Sequence, residues 1–378
     1  MASTQSHPGP PGAKGVINSN EPLPATPQEI TADWLTKILG HKVKTATIVK
    51  EIHSTASKIL LELTYYEDVG DNAPTQICVK GGFNQQLIAL HPSLIWTYRR
   101  EAELYYYIGP IASMNLPRTW YSGTDTVNGQ GLVVMANLAA EGCDFGQPLE
   151  SWSADRVRAG VEQLAALHGK TWGASVEEFP WLAGDKQMGG NPLQGVISSL
   201  LSPPAWEMRF TTSAPPPLPE AIANRERMER AFKTMWATEN PTFRCVVHGD
   251  AHIGNTFIRP DGTPGFIDWQ APHAGVALQD VAYFITGSLD TEERRKHEVS
   301  IVEHYLQALH QAGGPKFEKD DVWDDYRKHV LHGLAWALTA PGMQPDENVF
   351  VMTRRHAAAV LDHKTFELLE SLPAYVKE

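Results

Sequence analysis

The 378-residue chain is poor in cysteine and has no long apolar run. Its three cysteines, Cys78, Cys143 and Cys245, lie far apart, which excludes a dense disulfide framework and the close spacing of a zinc site. No apolar stretch reaches the length that crosses a bilayer, and the polar N-terminus lacks the apolar segment of a secretory signal. These absences predict a soluble protein of a reducing, cytoplasmic compartment with no membrane partner.

Positive charge is scarce relative to negative charge. The chain has 32 Lys and Arg against 44 Asp and Glu, a formal net charge of −12. This balance argues against a protein that binds nucleic-acid phosphates. Hydrophobic residues make up 42% and charged residues 20%, which is enough apolar material for a packed core. The length suits two or three domains, or one enzyme built of two lobes.

Residues that suit phosphoryl transfer are concentrated in the stretch 243–269, FRCVVHGDAHIGNTFIRPDGTPGFIDW. A short apolar strand leads to Asp250, a loop then presents Asn255, and a second short strand leads to Asp268. Mg²⁺ prefers oxygen ligands, usually one or two carboxylates together with substrate phosphates. A phosphoryl-transfer site also places a carboxylate beside the attacking hydroxyl. The four residues between Asp250 and Asn255 match the Asp-to-Asn spacing of a protein-kinase catalytic loop.

The motif HGDxHxGN at 248–255, followed by Ile-Asp-Trp at 267–269, resembles the aminoglycoside phosphotransferase and choline kinase superfamily. The Trp-Gln continuation at 269–270 and DVAYF at 280–284 are most similar to its ecdysteroid kinase-like branch. The resemblance implies an α+β, bilobal protein-kinase-like fold with a small antiparallel-sheet N-lobe and a mainly helical C-lobe. It also implies a kinase that uses ATP and Mg²⁺ to phosphorylate a hydroxyl of a small molecule.

The resemblance implies a role for each acidic and amide group of the central stretch. Asp250 becomes the catalytic group that accepts or positions the proton of the acceptor hydroxyl. Asn255 and Asp268 become the residues that hold Mg²⁺ against the ATP phosphates. His248 is expected to brace the loop, and a structural role is favoured for His252.

Upstream, the resemblance implies an ATP-orienting lysine at Lys80, where the predicted strand from residue 76 ends. A lone strand lysine is more often a solvated edge residue. The helical stretch 94–108 that follows favours a functional role for Lys80. The family places an acidic partner for the lysine on this helix. Glu101 is preferred for that role, and Glu103 is the alternative.

Two further segments are predicted to contact the nucleotide. The loop His53–Ser57 lies between two predicted strands, and in the resembled family such a loop covers the phosphates, here with Ser54 and Thr55. It contains no glycine, so an ordinary polar hairpin is the alternative. The backbone from Met135 through Asn137 to residue 138 is expected to serve the adenine edge, with a plain buried strand as the alternative.

Three regions follow from these motifs. Residues 1–24 are polar and rich in Pro and Gly, which predicts a disordered tail. Residues 25–137 are expected to form the N-lobe and residues 138–378 the C-lobe. A helix is predicted to begin after the capping residue Thr26 and to end at Gly40.

The segment 181–219 contains Gly-Gly, Pro-Pro and Pro-Pro-Pro runs. It is too long for a passive connector, so we interpret it as an irregular insertion beside the substrate cleft. For Asp280, a helix cap and a brace of the catalytic loop are both open. For His168, a core position is favoured over a ligand.

The acceptor is expected to be a small molecule, because the short gap between Asp268 and Asp280 leaves no room for the activation segment of a protein kinase. Five tryptophans could form an aromatic pocket for a hydrophobic or quaternary-ammonium acceptor, or they could belong to ordinary core packing. They are Trp152, Trp172, Trp181, Trp206 and Trp269. The alternative function is a kinase-fold protein without kinase activity, either a binding scaffold or an enzyme with other chemistry. The missing glycines of the phosphate loop are its support.

Overall fold

The computed structural model describes residues 17–70, 73–175, 178–183, 191–212 and 214–373. Its strands are β1 (Val43–Ile52), β2 (Ser57–Tyr65), β3 (Gln76–Gly81), β4 (Thr119–Asp125), β5 (Gln130–Ala136), β6 (Asp144–Phe145), β7 (Arg244–Val247), β8 (Thr256–Ile258), β9 (Pro264–Phe266) and β10 (His273–Val276). Its α-helices are α1 (Ala32–Leu39), α2 (Gln85–Leu90), α3 (Leu94–Tyr107), α4 (Ala154–Lys170), α5 (Pro192–Leu200), α6 (Pro203–Phe210), α7 (Arg225–Ala237), α8 (Ala277–Ser288), α9 (Thr291–Gln311), α10 (Lys319–His329), α11 (Ala335–Leu338), α12 (Asp346–Asp362) and α13 (Thr365–Glu370).

The chain divides into two compact units. The first comprises the described residues of Met1–Asp144, Ser175–Asp185 and Phe257–Pro272. The second comprises those of Phe145–Ala174, Lys186–Thr256 and His273–Glu378. The first unit holds an antiparallel five-stranded sheet and the second is mainly helical, so the predicted α+β class is confirmed. The segment 257–272, expected within the C-lobe, packs with the first unit.

The five-stranded sheet has the order β1-β2-β3-β5-β4 and every neighbouring pair is antiparallel. Successive side chains of a strand point to opposite faces. Ile77 and Val79 of β3 therefore enter the apolar core beneath α1, while Cys78 and Lys80 face the other way. Each fully buried Leu or Ile in that core contributes roughly 1.5–3 kcal/mol to stability.

Helix α1 begins later than the sequence predicted. Thr26 makes no side-chain cap, and residues 27–29 form only a short 3₁₀ turn. Thr31 is the cap instead, because its hydroxyl accepts the Trp34 N–H at 3.2 Å. Gly40 ends the helix at φ 73°, the left-handed conformation that glycine adopts without strain.

Helix α3 packs against the second face of the sheet. The contact is close at Gly131 of β5, where an added Cβ atom would lie 2.3 Å from the carbonyl oxygen of Tyr98. The Tyr98 hydroxyl donates to the carbonyl oxygen of Thr55 at 2.7 Å, which ties α3 to the loop between β1 and β2. This packing sets the distance from α3 to the side chains of β3.

Residues 17–24 differ from the predicted disordered tail. Ile17 is 7% exposed, and the Ser19 N–H donates to the Thr124 carbonyl at 2.7 Å. The carbonyls of Pro22 and Pro24 accept from Trp34 and Gln130, each at 3.0 Å. Backbone groups of this polar stretch thus pair with the first unit, while residues 1–16 lie outside the described part of the chain.

The second unit is built around α8, in which all twelve residues are buried. Its polar residues, which include Asp280, are therefore buried along with the apolar ones. Helices α4, α9, α10 and α12 pack against it. Within the described ranges, no helix is long and apolar enough to cross a membrane.

The segment 181–219 was predicted to be irregular, but part of it is helical. It contains α5 and α6, which each have proline in the first turn, where a missing N–H costs nothing. Asn191 caps α5 by accepting the Leu193 N–H at 3.0 Å. Residues 184–190 and 213 of this segment lie outside the described residues.

Buried histidines make the stability of the second unit depend on pH. Burial lowers the pKa of His329, whose ring lies 2.7 Å from the Asp325 carbonyl, from 6.5 to about 4. The unfolded chain then takes up the proton first, so stability is full above about pH 6.5 and falls as the pH drops towards 4. We expect a loss of about 1 kcal/mol between pH 7.5 and 5.5 from this group, measured by urea unfolding.

His329→Gln is expected to flatten that loss, because the amide takes up no proton. His91→Gln, at an exposed position of the first unit, is the matched control and should leave it unchanged. Equal pH dependence in all three proteins would contradict the assignment to His329.

Candidate active site

Lys80 lies at the centre of the first unit's sheet, on β3 between β2 and β5. Its side chain is 4% exposed, and its Nζ donates to Glu101 Oε1 at 2.7 Å and to Asp268 Oδ1 at 2.8 Å. Burial by itself lowers the pKa of Lys80, but the two carboxylates outweigh it, so the pKa is raised and the ammonium stays charged. Lys80 is therefore not a solvated edge residue.

The structure also decides between the two acids of α3. Glu103 pairs with Arg99, whose Nε lies 2.8 Å from Glu103 Oε1. Glu101 faces Lys80 and accepts in addition the backbone N–H of Trp269 at 3.1 Å. One buried carboxylate thus connects the lysine of the sheet to the segment that carries Asp268.

Asp268 adopts a strained backbone conformation. Its φ is 66°, and among described non-glycine residues only Lys364 shares a positive φ. Its neighbour Trp269 is fully buried and donates through Nε1 to the Phe266 carbonyl at 3.1 Å, which anchors the turn. Strained backbone of this kind is concentrated at functional sites. The side chain of Asp268 remains 31% exposed and can meet a ligand.

The loop with Asp250 belongs to the second unit and is held from beneath by Asp280. Asp280 Oδ2 accepts the His248 N–H at 2.6 Å, and Oδ1 accepts the Gly249 N–H at 3.0 Å. Helix α8 begins three residues earlier, so Asp280 is not its cap. Asp280 was predicted to be either a helix cap or a brace of the catalytic loop, and the structure shows that it braces the loop.

Asp280 also contacts a buried histidine. His168 Nε2 lies 3.2 Å from Asp280 Oδ2, and its Nδ1 lies 2.9 Å from the Tyr305 hydroxyl. Burial by itself raises the pKa of Asp280, but the hydrogen bond and charge of His168, with those of His248, hold the pKa below its ordinary value. His168 is thus a bonded core residue, as the sequence favoured.

Asp250 is the exposed acid of this loop, with a side chain 39% exposed. Asn255 Nδ2 donates to its backbone carbonyl at 2.9 Å and to its Oδ2 at 3.2 Å. Burial, together with the nearby charge of Asp250, raises the pKa of Tyr283 well above its ordinary value. His252 serves the loop backbone, because its Nδ1 accepts the Gly254 N–H at 3.0 Å.

The predicted nucleotide-contacting residues lie in the first unit. The hydroxyl of Ser54 donates to the Ala56 carbonyl at 2.7 Å, and Thr55 is exposed. Met135 is buried in β5, and Asn137 follows the end of that strand and accepts the Glu141 N–H at 3.1 Å through its carbonyl. Their nucleotide contacts stay predictions.

A cavity of about 190 Å³ opens beside Asp250 within the second unit. Its walls are four residues of α5, four aromatic or imidazole rings and a few residues around α11. The lining residues are Leu193, Val196, Ile197, Leu200, Asp250, His252, Tyr283, His332, Ala335, Trp336, Thr339, Met343 and Gln344. These lining residues were not predicted from the sequence, although the periodic apolar residues of α5 indicated an amphipathic helix there.

None of the described tryptophans proposed for an aromatic pocket lines this cavity. Trp152 and Trp269 are buried, at 2% and 0% exposed. Trp172 contacts Phe317 and Trp206 contacts Phe210, so core and local packing describes these four. The side chain of Trp181 lies outside the described part of the chain.

We expect Asp280→Asn to lower the free energy of unfolding by about 2–4 kcal/mol at pH 7, because two N–H donors lose a charged acceptor. Since the pKa of Asp280 is depressed, its contribution is present above the unfolded pKa and is lost as the pH falls through the folded value. The difference from wild type should therefore shrink only below about pH 4. Urea unfolding measures both quantities.

Asp155→Asn is the control for this substitution, because Asp155 is 93% exposed in the first turn of α4. It should leave stability within about 0.5 kcal/mol of wild type. If Asp280→Asn behaved like it, the loop would be held by other contacts.

The central part of the chain has a family match. Residues 214–313 match the model of the ecdysteroid kinase-like family. The resemblance seen in the sequence is thereby confirmed over this segment. It contains the HGDxHxGN motif, the Ile-Asp-Trp turn and Asp280. No curated protein is significantly similar to the chain in sequence.

Several solved structures are similar to the chain at low identity. The spectinomycin phosphotransferase APH(9)-Ia, solved with ADP and spectinomycin, is 12% identical, with 89% of this chain and 98% of that chain covered and a TM-score of 0.47. Choline kinase LicA from Streptococcus pneumoniae is 14% identical, with 88% and 99% covered and a TM-score of 0.46. Macrolide 2'-phosphotransferase MphH from Brachybacterium faecium is 16% identical, with 87% and 96% covered and a TM-score of 0.45. At these identities no residue role or substrate passes to this chain.

Proposed function

We propose that the chain is an ATP- and Mg²⁺-dependent phosphotransferase that moves the γ-phosphate to a hydroxyl of a small molecule. The observation that carries the proposal is the buried ammonium of Lys80 between Glu101 and Asp268. Buried ion pairs stabilise a fold no better than well-packed apolar side chains, so stability alone gives no reason for these charges. Binding of nucleotide phosphates would explain these charges, because an ammonium that two carboxylates hold in place can bind phosphate oxygens without reorganisation.

The residues proposed to hold Mg²⁺ are Asp268, which follows β9, and Asn255 of the catalytic loop, and each side chain offers an oxygen of the kind that the ion prefers. Asp268 offers a partly exposed carboxylate at a strained turn. The Nδ2 of Asn255 donates to Asp250, which leaves its carbonyl oxygen as the ligating atom. Within the described residues no group of three or more His, Cys, Asp or Glu forms a metal site, and one carboxylate plus an amide, completed by phosphates and water, is the mode that Mg²⁺ prefers. When bound, the cation neutralises phosphate charge.

Asp250 is the group proposed to act on the acceptor. Its carboxylate accepts a hydrogen bond from Asn255, and its loop is braced by Asp280. In the proposed reaction the acceptor O–H bond breaks and its proton passes to Asp250. The acceptor oxygen forms a bond to the γ-phosphorus as the bond to the β–γ bridging oxygen breaks and ADP leaves.

A small acceptor is favoured over a protein. Between Asp268 and Asp280 the chain forms β10 at 273–276 and enters α8 at residue 277. No segment of this stretch is left to act as an activation loop. The cavity beside Asp250 offers a binding site of small-molecule size instead.

One observation favours the second candidate, a kinase-fold protein without kinase activity. The glycine-free loop at 53–57 bonds to itself and to its neighbours: His53 Nδ1 lies 3.1 Å from Ser57 Oγ, and His53 Nε2 lies 3.1 Å from Glu51 Oε2. Such side-chain contacts occupy a loop whose backbone N–H groups would otherwise approach phosphates.

Thermal unfolding with ATP discriminates between the two candidates. For a phosphotransferase we expect Mg²⁺-dependent stabilisation by ATP, about 5 °C in Tm at a hundredfold excess over Kd. We also expect acceptor-dependent release of ADP. A folded protein with neither response would favour the protein without kinase activity; stabilisation without ADP release from any acceptor would favour a nucleotide-binding scaffold.

A further inference from the structure

The cavity beside Asp250 is lined mainly by aliphatic and ring side chains, with a single carboxylate among its described residues. One wall is aliphatic, formed by α5 with Leu193, Val196 and Ile197 among its residues. Trp336 also lines the cavity, and its ring contacts His252 edge-on with centroids 5.2 Å apart. Among the described lining residues, Asp250 is the only acidic one, and neither lysine nor arginine is present.

This lining disfavours a charged acceptor. An ammonium group that carries N–H donors would need a carboxylate partner there, and the sole carboxylate of the described lining already accepts from Asn255 and is the group proposed to meet the reacting hydroxyl. An anionic acceptor lacks a cation, because burial lowers the pKa of His332 and keeps its ring neutral near pH 7. The aliphatic wall rewards apolar surface instead.

The enclosed volume suits a compact acceptor. Pockets that enclose drug-sized ligands measure roughly 300–1,000 Å³, whereas this cavity measures about 190 Å³. A four-ring sterol belongs to the larger class. A molecule of one ring and a short chain fits the available space, and its ring can pack on Trp336 or Tyr283.

We propose that the acceptor is a compact, uncharged, apolar alcohol that places its hydroxyl at Asp250 and its apolar part on α5. The role of the hydroxyl rests on the proposed phosphotransferase function; the binding mode does not. The bond changes are those given above, with ATP as the phosphoryl donor.

The test uses 2-phenylethanol as the probe and a charge placed in the aliphatic wall. Val196 lines the cavity and is 46% exposed, so Val196→Glu adds a carboxylate without disrupting a core. Val299→Glu on α9, where the valine is 44% exposed, is the matched control outside the cavity. Binding is measured without nucleotide by ligand-observed saturation-transfer NMR, and turnover by release of ADP.

We expect saturation transfer to 2-phenylethanol in the wild type and in Val299→Glu, and at least a roughly fivefold weaker signal in Val196→Glu. Turnover should follow the same order, with kcat/KM for 2-phenylethanol about tenfold lower in Val196→Glu. Choline, spectinomycin and an ecdysteroid should neither bind in the cavity nor release ADP.

The outcomes separate this inference from the proposed function. Release of ADP with choline, spectinomycin or the ecdysteroid, but not with compact alcohols, would overturn the inference and keep the phosphotransferase. Binding of 2-phenylethanol that Val196→Glu weakens, without ADP release from any alcohol, would support the inference and overturn the phosphotransferase. Absence of binding to the wild-type protein, or equal binding in both valine variants, would overturn the inference.

Discussion

Asp250→Asn is expected to reduce turnover by at least ~100-fold while leaving ATP affinity within about threefold of wild type. The amide cannot accept the proton of the acceptor hydroxyl. The loop should keep its shape, because Asn255 Nδ2 also donates to the backbone carbonyl of residue 250 at 2.9 Å, and that bond survives the substitution. Steady-state ADP release gives the turnover, and ATP titration followed by thermal unfolding gives the affinity.

Asp261→Asn is the control, since Asp261 is an exposed acid between β8 and β9 in the first unit. It should retain full turnover. Turnover that survived Asp250→Asn would remove this residue from the reaction. Loss of ATP affinity together with turnover would instead place Asp250 on the nucleotide side of the chemistry.

Lys80→Met is expected to abolish measurable turnover and to cost about 3–5 kcal/mol of stability. The substitution leaves two carboxylates without their ammonium, and Glu101 is 3% exposed, so water cannot replace the lost partner. Urea unfolding measures the stability, and Mg²⁺-dependent stabilisation by ATP should disappear in parallel.

A double variant separates the two effects. Lys80→Met with Glu101→Gln removes the buried negative charge and should recover roughly half of the lost stability, but none of the turnover. Lys50→Met, at an exposed position of β1, should match wild type in both assays. Recovered turnover in the double variant would show that Lys80 is structural rather than a ligand for phosphate.

Local patterns carried much of the prediction. Strand alternation and turn residues predicted β1, β2, β3 and β5 closely, because side-chain direction in a strand depends on its own sequence. The motif HGDxHxGN predicted a loop in which Asn255 lies close to Asp250, since four intervening residues bring them together without help from the rest of the chain. The preference for Glu101 over Glu103 came from the resemblance, and the structure supports it through the face of α3.

Errors arose where the outcome depends on distant partners. The helix cap at Thr26 was wrong, because residues 27–29 form only a 3₁₀ turn and α1 begins after Thr31. The preceding backbone is held by distant residues, since the Pro22 carbonyl accepts from Trp34 of α1 and the Pro24 carbonyl from Gln130 of β5. For the tryptophans both alternatives were open, and the structure has core or local packing for the four whose side chains it describes; burial depends on packing that position along the chain does not encode. Helices α5 and α6 were missed because the Gly-Gly, Pro-Pro and Pro-Pro-Pro runs indicated irregular structure, whereas Pro203 and Pro204 lie in the first turn of α6.

By itself, the sequence determined the reaction class that we propose and the spacing of its acidic and amide groups, because both depend on motifs a few residues long. The tertiary structure decided which acid meets Lys80, that Asp280 braces the loop, and that Asp250 lines a cavity with an aliphatic wall. Those features join residues far apart in the chain, such as Lys80 with Asp268 and α5 with Trp336. Their meeting depends on the packing of whole helices and strands, which no local pattern specifies.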